Sequence, residues 1–322
     1  MIKKVLIVRF SSIGDIVLTS PVVRCLKQQN AHIQVHFVTK SQFKTVLVAN
    51  PYIDKLITFQ NDVSEIYSSL KSENYDLIID LHKNLRSTRL KRKLNVKSIS
   101  FNKINWQKWL AVRTKRKSIL PGMHIVDRYF EAIKALNVSN DNKGLDYFIP
   151  AEEEFVLDNL LPQINSNSFV ALVVGGSYFT KRIPLDLLER ICSSTKNIFI
   201  AIGSTEDSLV AELLSKKCKN VYNLCGKLSV NQSAALIKQS KAVVTSDTGM
   251  MHIAAAFKKQ IFSFWGNTIP EFGMSPYMPG EGSKIFENNN LSCRPCSKLG
   301  YAKCPKTHFK CMNEIDLKEL NL

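Results

Sequence analysis

One pattern occurs twice in this chain and narrows its fold more than any other. A short strand-like run enters a loop of small residues, and the loop opens a helix. Near the start, residues 4–9 (KVLIVR) lead into Ser11-Ser12-Ile13-Gly14-Asp15, after which Ile16, Val17, Val22, Val23 and Leu26 recur at helical spacing. From 169 the pattern restarts: FVALVV leads into Gly175-Gly176-Ser177 and then a helix beginning near Pro184. Further strands are expected at 33–39, 75–81, 197–202, 242–245 and 260–264, with helical segments between them. One helix, 124–136, carries Val126, Tyr129, Phe130, Ile133 and Leu136 on one face. Strands separated by helices of this length imply βαβ units and parallel sheets. The expectation is an α/β protein of two facing Rossmann-like domains, with ligands bound in the cleft outside the strands' carboxyl ends. The polar stretch 139–144 (SNDNKG) and the glutamate-rich 150–162 place the linker, giving domains of 1–150 and 151–322.

Two domains suit 322 residues, and an apolar share of 45% excludes disordered, collagen-like and disulfide-scaffold chains. No apolar run approaches the ~18 residues that span a bilayer. The basic start is followed by a run broken at Arg9 and lacks a small-residue cleavage site, so it reads as a strand rather than a signal peptide. Eight cysteines are too sparse for a secreted disulfide framework, and reduced thiols fit a cytoplasmic protein.

Charge is distributed very unevenly. Of the formal +17, thirteen charges lie between Leu81 and Val126, a window without Asp or Glu. Such a block suits a polyanion: nucleic acid, anionic lipid or a phosphorylated glycolipid; the alternative is a solvated Lys-rich face. Against nucleic acid, aromatic interleaving is limited to Phe101, Trp106 and Trp109, and no DNA- or RNA-binding module is present.

Three constellations can carry chemistry. Asp15 sits at the mouth of the first sheet, where it either caps the helix or faces a ligand. At Gly175-Gly176-Ser177-Tyr178-Phe179-Thr180-Lys181-Arg182, a Gly-Gly turn brings free amides, hydroxyls and an ammonium to a helix start, which suits a diphosphate. At Ser246-Asp247-Thr248-Gly249-Met250-Met251-His252, the Thr248 and Gly249 amides open a helix and can hold a phosphate. His252 follows one turn later, with Asp247 placed to orient it or to bind a sugar hydroxyl. Neither GxGxxG nor a Walker motif is present.

In this order, these motifs resemble glycosyltransferase family 9, the heptosyltransferases of lipopolysaccharide core assembly. The likeness extends to VLIVRFSSIGDIVLTSPVVRCLK, DLHKNLRS (80–87), IGSTED (202–207), NLCGKLS (223–229) and FWGNT (264–268). It implies a GT-B fold, with the acceptor on the N-terminal half and the nucleotide-sugar on the C-terminal half. It also implies an inverting, metal-independent transfer of heptose from ADP-heptose to the inner core of a lipid A-linked acceptor, with no cofactor beyond the donor. Asp15 matches the general base and Lys181 the residue on the leaving diphosphate. Thr248 and Gly249 match the phosphate-binding helix start, and Asp247 and His252 the neighbouring donor positions. Glu206 matches an acidic residue near the ribose, and Leu228 one near the nucleobase. Gly176-Ser177 stands where hydroxyl-rich pairs are common, one side-chain donor fewer. The same fold with another nucleotide-sugar or glycan acceptor (O-antigen, capsule) is the alternative. The expected partners are the donor, an anionic Kdo- or heptose-bearing lipid A and the cytoplasmic face of the inner membrane, on which the basic block would dock; nucleic acid is not expected.

Near the C-terminus, Cys293-x2-Cys296-x7-Cys304-x6-Cys311 offers four thiolates to a structural Zn²⁺, although only the first pair has CxxC spacing. Cys25, Cys192, Cys218 and Cys225 fall on helix or strand patterns and are expected in the core.

Overall fold

The structure, a computed structural model, describes residues 2–155, 157, 161, 162, 164 and 168–322. It divides into two compact units, Met1–Lys103 with Met123–Pro150, and Ile104–Gly122 with Ala151–Leu322. The change of unit at Pro150 falls where the polar linker is expected; Val156 and 158–160 of that stretch lie outside the described residues.

The first unit contains β1 (Lys4–Val8), α1 (Ile13–Val17), α2 (Ser20–Gln29), β2 (Gln34–Lys40), β3 (Lys55–Phe59), α3 (Tyr67–Ser72), β4 (Leu77–Asp80), α4 (Leu85–Leu94) and β5 (Ser98–Ser100). Helix α5 (Asn105–Thr114) follows in the chain, and α6 (Ile125–Ile133) returns to the first unit. The five parallel strands run in the order β3-β2-β1-β4-β5. The strand order therefore reverses between β1 and β4, which pair with Val8 opposite Asp80. β1 and β4 are apolar on both faces and almost wholly buried, as parallel strands covered by helices on both sides must be.

Helix α5 departs from an uninterrupted N-terminal domain of 1–150, because 104–122 belongs to the second unit. The reason is apolar: Ala111 and Leu120 bury against Ile269 and Phe272. Val112 packs at the edge of the same cluster.

The second unit continues with β6 (Phe169–Val173), α7 (Leu185–Ser193), β7 (Ile198–Ile202), α8 (Ser208–Lys217), β8 (Val221–Asn223), α9 (Val230–Gln239), β9 (Ala242–Ser246), α10 (Gly249–Ala256), β10 (Gln260–Trp265), β11 (Lys284–Glu287) and α11 (Lys310–Asn313). Its six parallel strands run β11-β10-β9-β6-β7-β8, so the order reverses between β6 and β9. The core joins Leu172, Leu188, Phe199, Val244 and Phe264 to Cys192, Cys218, Cys225 and Cys311. Cys25 is likewise buried, in the first unit.

Sequence periodicity located the central strands and missed β3, β5, β8 and β11. Each of these four is the edge strand of its sheet. Edge strands are short and half solvated, so they carry a weaker apolar signature. The helix expected over 124–136 is α-helical to Ile133 and finishes as a 3₁₀ turn, where Leu136 is only half buried.

Candidate active site

In open parallel sheets the crevice for ligands forms where strand order reverses, outside the carboxyl ends. Each unit has one such point: Asp15 lies at the first, and Lys181, Asp247, Thr248 and Gly249 lie at the second.

In the first unit, Asp15 occupies the third position of α1 and closes a capping box: its Oδ2 accepts from the Ser12 hydroxyl at 2.8 Å and the Ser12 amide at 3.3 Å. The capping alternative is thus realised, and the carboxylate still has a second engagement. Its Oδ1 lies 2.5 Å from Arg9 Nη2. Arg9, which directly follows β1, is buried and donates to the carbonyls of Ser11 (2.8 Å) and Leu81 (2.6 Å) and to the Tyr129 hydroxyl (3.3 Å). It thereby ties the end of β1 to the end of β4 and to α6. Desolvation pushes the Asp15 carboxyl upward, but the Arg9 charge and the Ser12 hydrogen bonds outweigh it and hold the group below the ordinary carboxylate range. Asp15 is an ionised acceptor at neutral pH.

The segment after β4 is fastened by Asp80, which is fully buried. Its Oδ1 accepts from the His82 and Lys83 amides (3.1 and 2.7 Å), and its Oδ2 from Ser87 Oγ and Lys91 Nζ (2.9 and 2.8 Å). This changes the reading of the basic block. Lys91 is an internal counter-ion. Lys83 donates to the Phe101 carbonyl, Lys103 to those of His82 and Lys83, and Lys115 to that of Pro295. Lys117 pairs with Glu271 at 2.9 Å, and Lys108 lies 5.6 Å from the centre of the Phe272 ring. Arg89, Arg92, Lys93, Lys97, Arg113 and Arg116 remain exposed.

In the second unit, the loop after β6 and the start of α10 after β9 come together. A Cβ on Gly176 would stand 3.7 Å from Thr248 Cγ2 and 3.8 Å from Ser246 Oγ. Lys181 Nζ pairs with Asp247 Oδ2 at 2.6 Å, and Thr268 Oγ1 donates to the same oxygen at 3.1 Å. Thr248 is the N-cap of α10 and makes no side-chain cap hydrogen bond, while Gly249 is the first helical residue. His252 is buried one turn further on. Ser177 is exposed at the loop tip. Glu206 is exposed on the 3₁₀ turn after β7, and Leu228 is half buried before α9. Among the described residues no hydrogen bond joins either of these to the Lys181–Asp247 group.

Several residues of the quoted motifs take roles here that the sequence does not assign. Asp207 is buried, accepts from Ser204 N and Oγ (2.8 and 2.7 Å), and fills the space that a side chain at Gly175 or Gly203 would need. Arg182 braces the loop by donating to the Gly176 carbonyl at 2.8 Å. Ser246 Oγ and the Asn267 amide are buried without hydrogen-bond partners among the described residues, at the ends of β9 and β10.

The cysteine tail is wired to the same loop. Tyr301 N donates to Thr180 Oγ1 at 2.8 Å and Thr180 N to the Tyr301 carbonyl at 3.2 Å, one residue from Lys181. Buried Arg294 anchors the tail to the carbonyls of Trp265, Gly266 and Thr268. Among the described residues no group of three or more His, Cys, Asp or Glu side chains is arranged to hold a metal ion, so zinc on Cys293, Cys296, Cys304 and Cys311 has no geometric support. Cys311 instead packs in the core, and burial raises its thiol to about 12.

Solved structures share this architecture. A family 9 glycosyl transferase from Veillonella parvula superposes with a TM-score of 0.74 at 18% identity, covering 88% of this chain and 85% of that one. The ADP-heptose LPS heptosyltransferase II of Escherichia coli superposes with a TM-score of 0.69 at 16% identity, covering 97% and 98%. Two parallel α/β units of this kind make the fold GT-B, the architecture of a large class of glycosyltransferases. Lipopolysaccharide heptosyltransferase 1 of Pseudomonas aeruginosa is 25% identical over 317 residues, covering 92% of this chain and 86% of the relative. The model of Glycosyltransferase family 9 (heptosyltransferase) matches residues 63–303, and the chain belongs to that family. It is a glycosyltransferase.

Proposed function

We propose that this enzyme transfers a heptose from ADP-heptose to the inner core of a lipid A-linked acceptor, with inversion. One observation carries the reading: an ionised carboxylate ends one switch point, while an ammonium and a helix start end the other. Sugar transfer needs this division. The acceptor oxygen must lose a proton as it attacks the anomeric carbon, and the departing diphosphate must be met by positive charge. Asp15 receives the proton, the new glycosidic bond forms as the sugar–phosphate bond breaks, and ADP leaves with the bonding electrons. Lys181 turns from Asp247 to the leaving diphosphate, whose oxygens also meet the Thr248 and Gly249 amides. Gly176 and Ser177 line the donor loop, Asp247 and His252 face the sugar, and Glu206 and Leu228 face the nucleoside. The names of the Pseudomonas and Escherichia relatives support heptose, ADP and lipopolysaccharide.

Nucleotide release measured with ADP-, UDP- and GDP-sugars and a Kdo-bearing core oligosaccharide tests this. ADP release from ADP-heptose alone, undiminished by chelator, is expected. Faster turnover of a UDP- or GDP-sugar would transfer the reading to another glycan.

The acceptor is a membrane lipid, and we place the membrane contact on α5, on the cytoplasmic face of the inner membrane. No helix among the described residues is long and apolar enough to cross a bilayer. Trp106 and Trp109 are 67% and 48% exposed, with their rings stacked at 4.9 Å. With Arg113 they follow i, i+3, i+7 spacing, opposite the face buried on Ile269 and Phe272. Exposed indoles beside arginines are the make-up of an interfacial helix. Co-sedimentation with anionic vesicles should fall when both tryptophans become Ala, with turnover on a short soluble acceptor unchanged. Equal retention by the double variant would remove α5 as the contact.

A further inference from the structure

We infer that His82 binds a hydroxyl of the acceptor sugar beside Asp15. The inference rests on the glycosyltransferase reading of that switch point and adds a residue of the DLHKNLRS segment to which the resemblance assigns no role.

The ring is held in place from several sides. Asp80 accepts from the amides of His82 and Lys83, and Lys103 donates to the His82 carbonyl at 3.1 Å. The imidazole packs on Phe10, with centroids 4.9 Å apart. The Arg9 guanidinium spans this region: one nitrogen donates to the Leu81 carbonyl and another pairs with the Asp15 carboxylate. His82 and Asp15 thus stand at the carboxyl ends of two neighbouring strands, β4 and β1, where the strand order reverses.

The side chain is only 8% exposed, and neither ring nitrogen has a hydrogen-bond partner among the described residues. A buried polar group left unpaired is strongly unfavourable, and a protein that retains one at a ligand crevice has a use for it. Burial, with Arg9 and Lys103 close by, lowers the imidazole to about 3, so the ring is neutral at physiological pH. A neutral imidazole offers one donor and one acceptor. A sugar hydroxyl offers the same pair and satisfies either nitrogen. A carboxylate or phosphate oxygen can pair only with the N–H. The ligand class is therefore a hydroxyl, and it belongs to the acceptor because this crevice also holds Asp15.

The opposing explanation is a core histidine that merely fills space against Phe10, and His82→Phe separates the two. If His82 binds the acceptor, the Phe variant raises the acceptor KM about tenfold or more, the scale of one lost buried hydrogen bond. Its kcat stays within about threefold, its ADP affinity is unchanged and its melting temperature is not lowered. His82→Gln, which keeps a donor and an acceptor, recovers most of the KM. Independently of any donor, titrating deacylated Kdo-lipid A oligosaccharide into wild-type protein with ¹⁵N-labelled histidine should shift the His82 imidazole resonances. A wild-type enzyme that ignores ADP-heptose but shows this shift overturns the donor assignment and supports His82. An unchanged acceptor KM in the Phe variant, or imidazole resonances indifferent to the oligosaccharide, overturns the role of His82.

Discussion

The two switch points share a topology and hold opposite chemistry. In the first unit the loop after β1 presents a carboxylate, and the nearest cation, Arg9, is buried and fixed by three further hydrogen bonds. In the second unit the loop after β6 presents an ammonium whose partner is a single carboxylate on the neighbouring strand's loop. The first pair is locked, so Asp15 stays ionised in one place. The second is a simple exchangeable contact, from which an anionic ligand can draw Lys181. The fold supplies two equivalent crevices, and in the proposed function the side chains at their rims divide the reaction between them.

The severest test of this division is Asp15→Asn. Asparagine retains an oxygen that accepts from Ser12, so the cap survives, but it cannot take a proton at neutral pH. Turnover should fall about 10²–10⁴-fold, the range of general base catalysis, with ADP binding little changed, while the melting temperature falls because buried Arg9 loses its counter-charge. Near-normal turnover would reduce Asp15 to a cap. On the other side, Lys181→Ala should weaken ADP binding by about one to two orders of magnitude, the worth of a charge-assisted hydrogen bond. Asp247→Asn frees the ammonium and should strengthen ADP binding; calorimetry reads both.

A pH profile probes the locked pair. Asp15 lies below the ordinary Asp value of 3.8 in the folded protein. Its contribution to stability is therefore fully present above that value and is lost as pH falls through the lower folded value. The acid limb of kcat/KM should lie correspondingly low. In Arg9→Gln, without the guanidinium charge, that limb should move upward; an unmoved limb means that another group controls it.

The smallest effect concerns two adjacent glycines. Gly175→Ala drives a methyl into the Asp207 carboxylate and should destabilise by about 1–3 kcal/mol. Gly176→Ala meets only ordinary contact distances, 3.4 Å and beyond, and should change stability by less than about 1 kcal/mol. Denaturant titration compares them. A Gly176→Ala variant as unstable as the Gly175 variant would mean that packing, rather than ligand access, keeps both small.

Much of this was legible before the structure because it is written in local pattern. Runs such as FVALVV and YDLIID announce central parallel strands through continuous apolarity, and Gly-Gly or Asp-Thr-Gly at their ends announces helix starts. Edge strands such as KLITF lacked that signal because solvent relieves one side. The basic window misled in a different way. Thirteen charges in one window without Asp or Glu read as one docking face, yet Lys91 neutralises Asp80 and Lys117 pairs with Glu271, far away in sequence. Composition counts charges but cannot say which are already paired.

The sequence by itself determined the two α/β units, their central strands and the loops that bear Asp15, Lys181 and Thr248. Those features depend on neighbours within a few residues along the chain. Tertiary structure alone decided that Arg9 grips Asp15 and that Lys181 rests on Asp247. It also decided that Asp207 underlies both glycine loops, that Tyr301 holds Thr180, and that α5 packs with the second unit. Each of these joins groups brought close only by strand order or by a long loop. The charge and hydrogen-bonding state of a side chain follow from such neighbours in space.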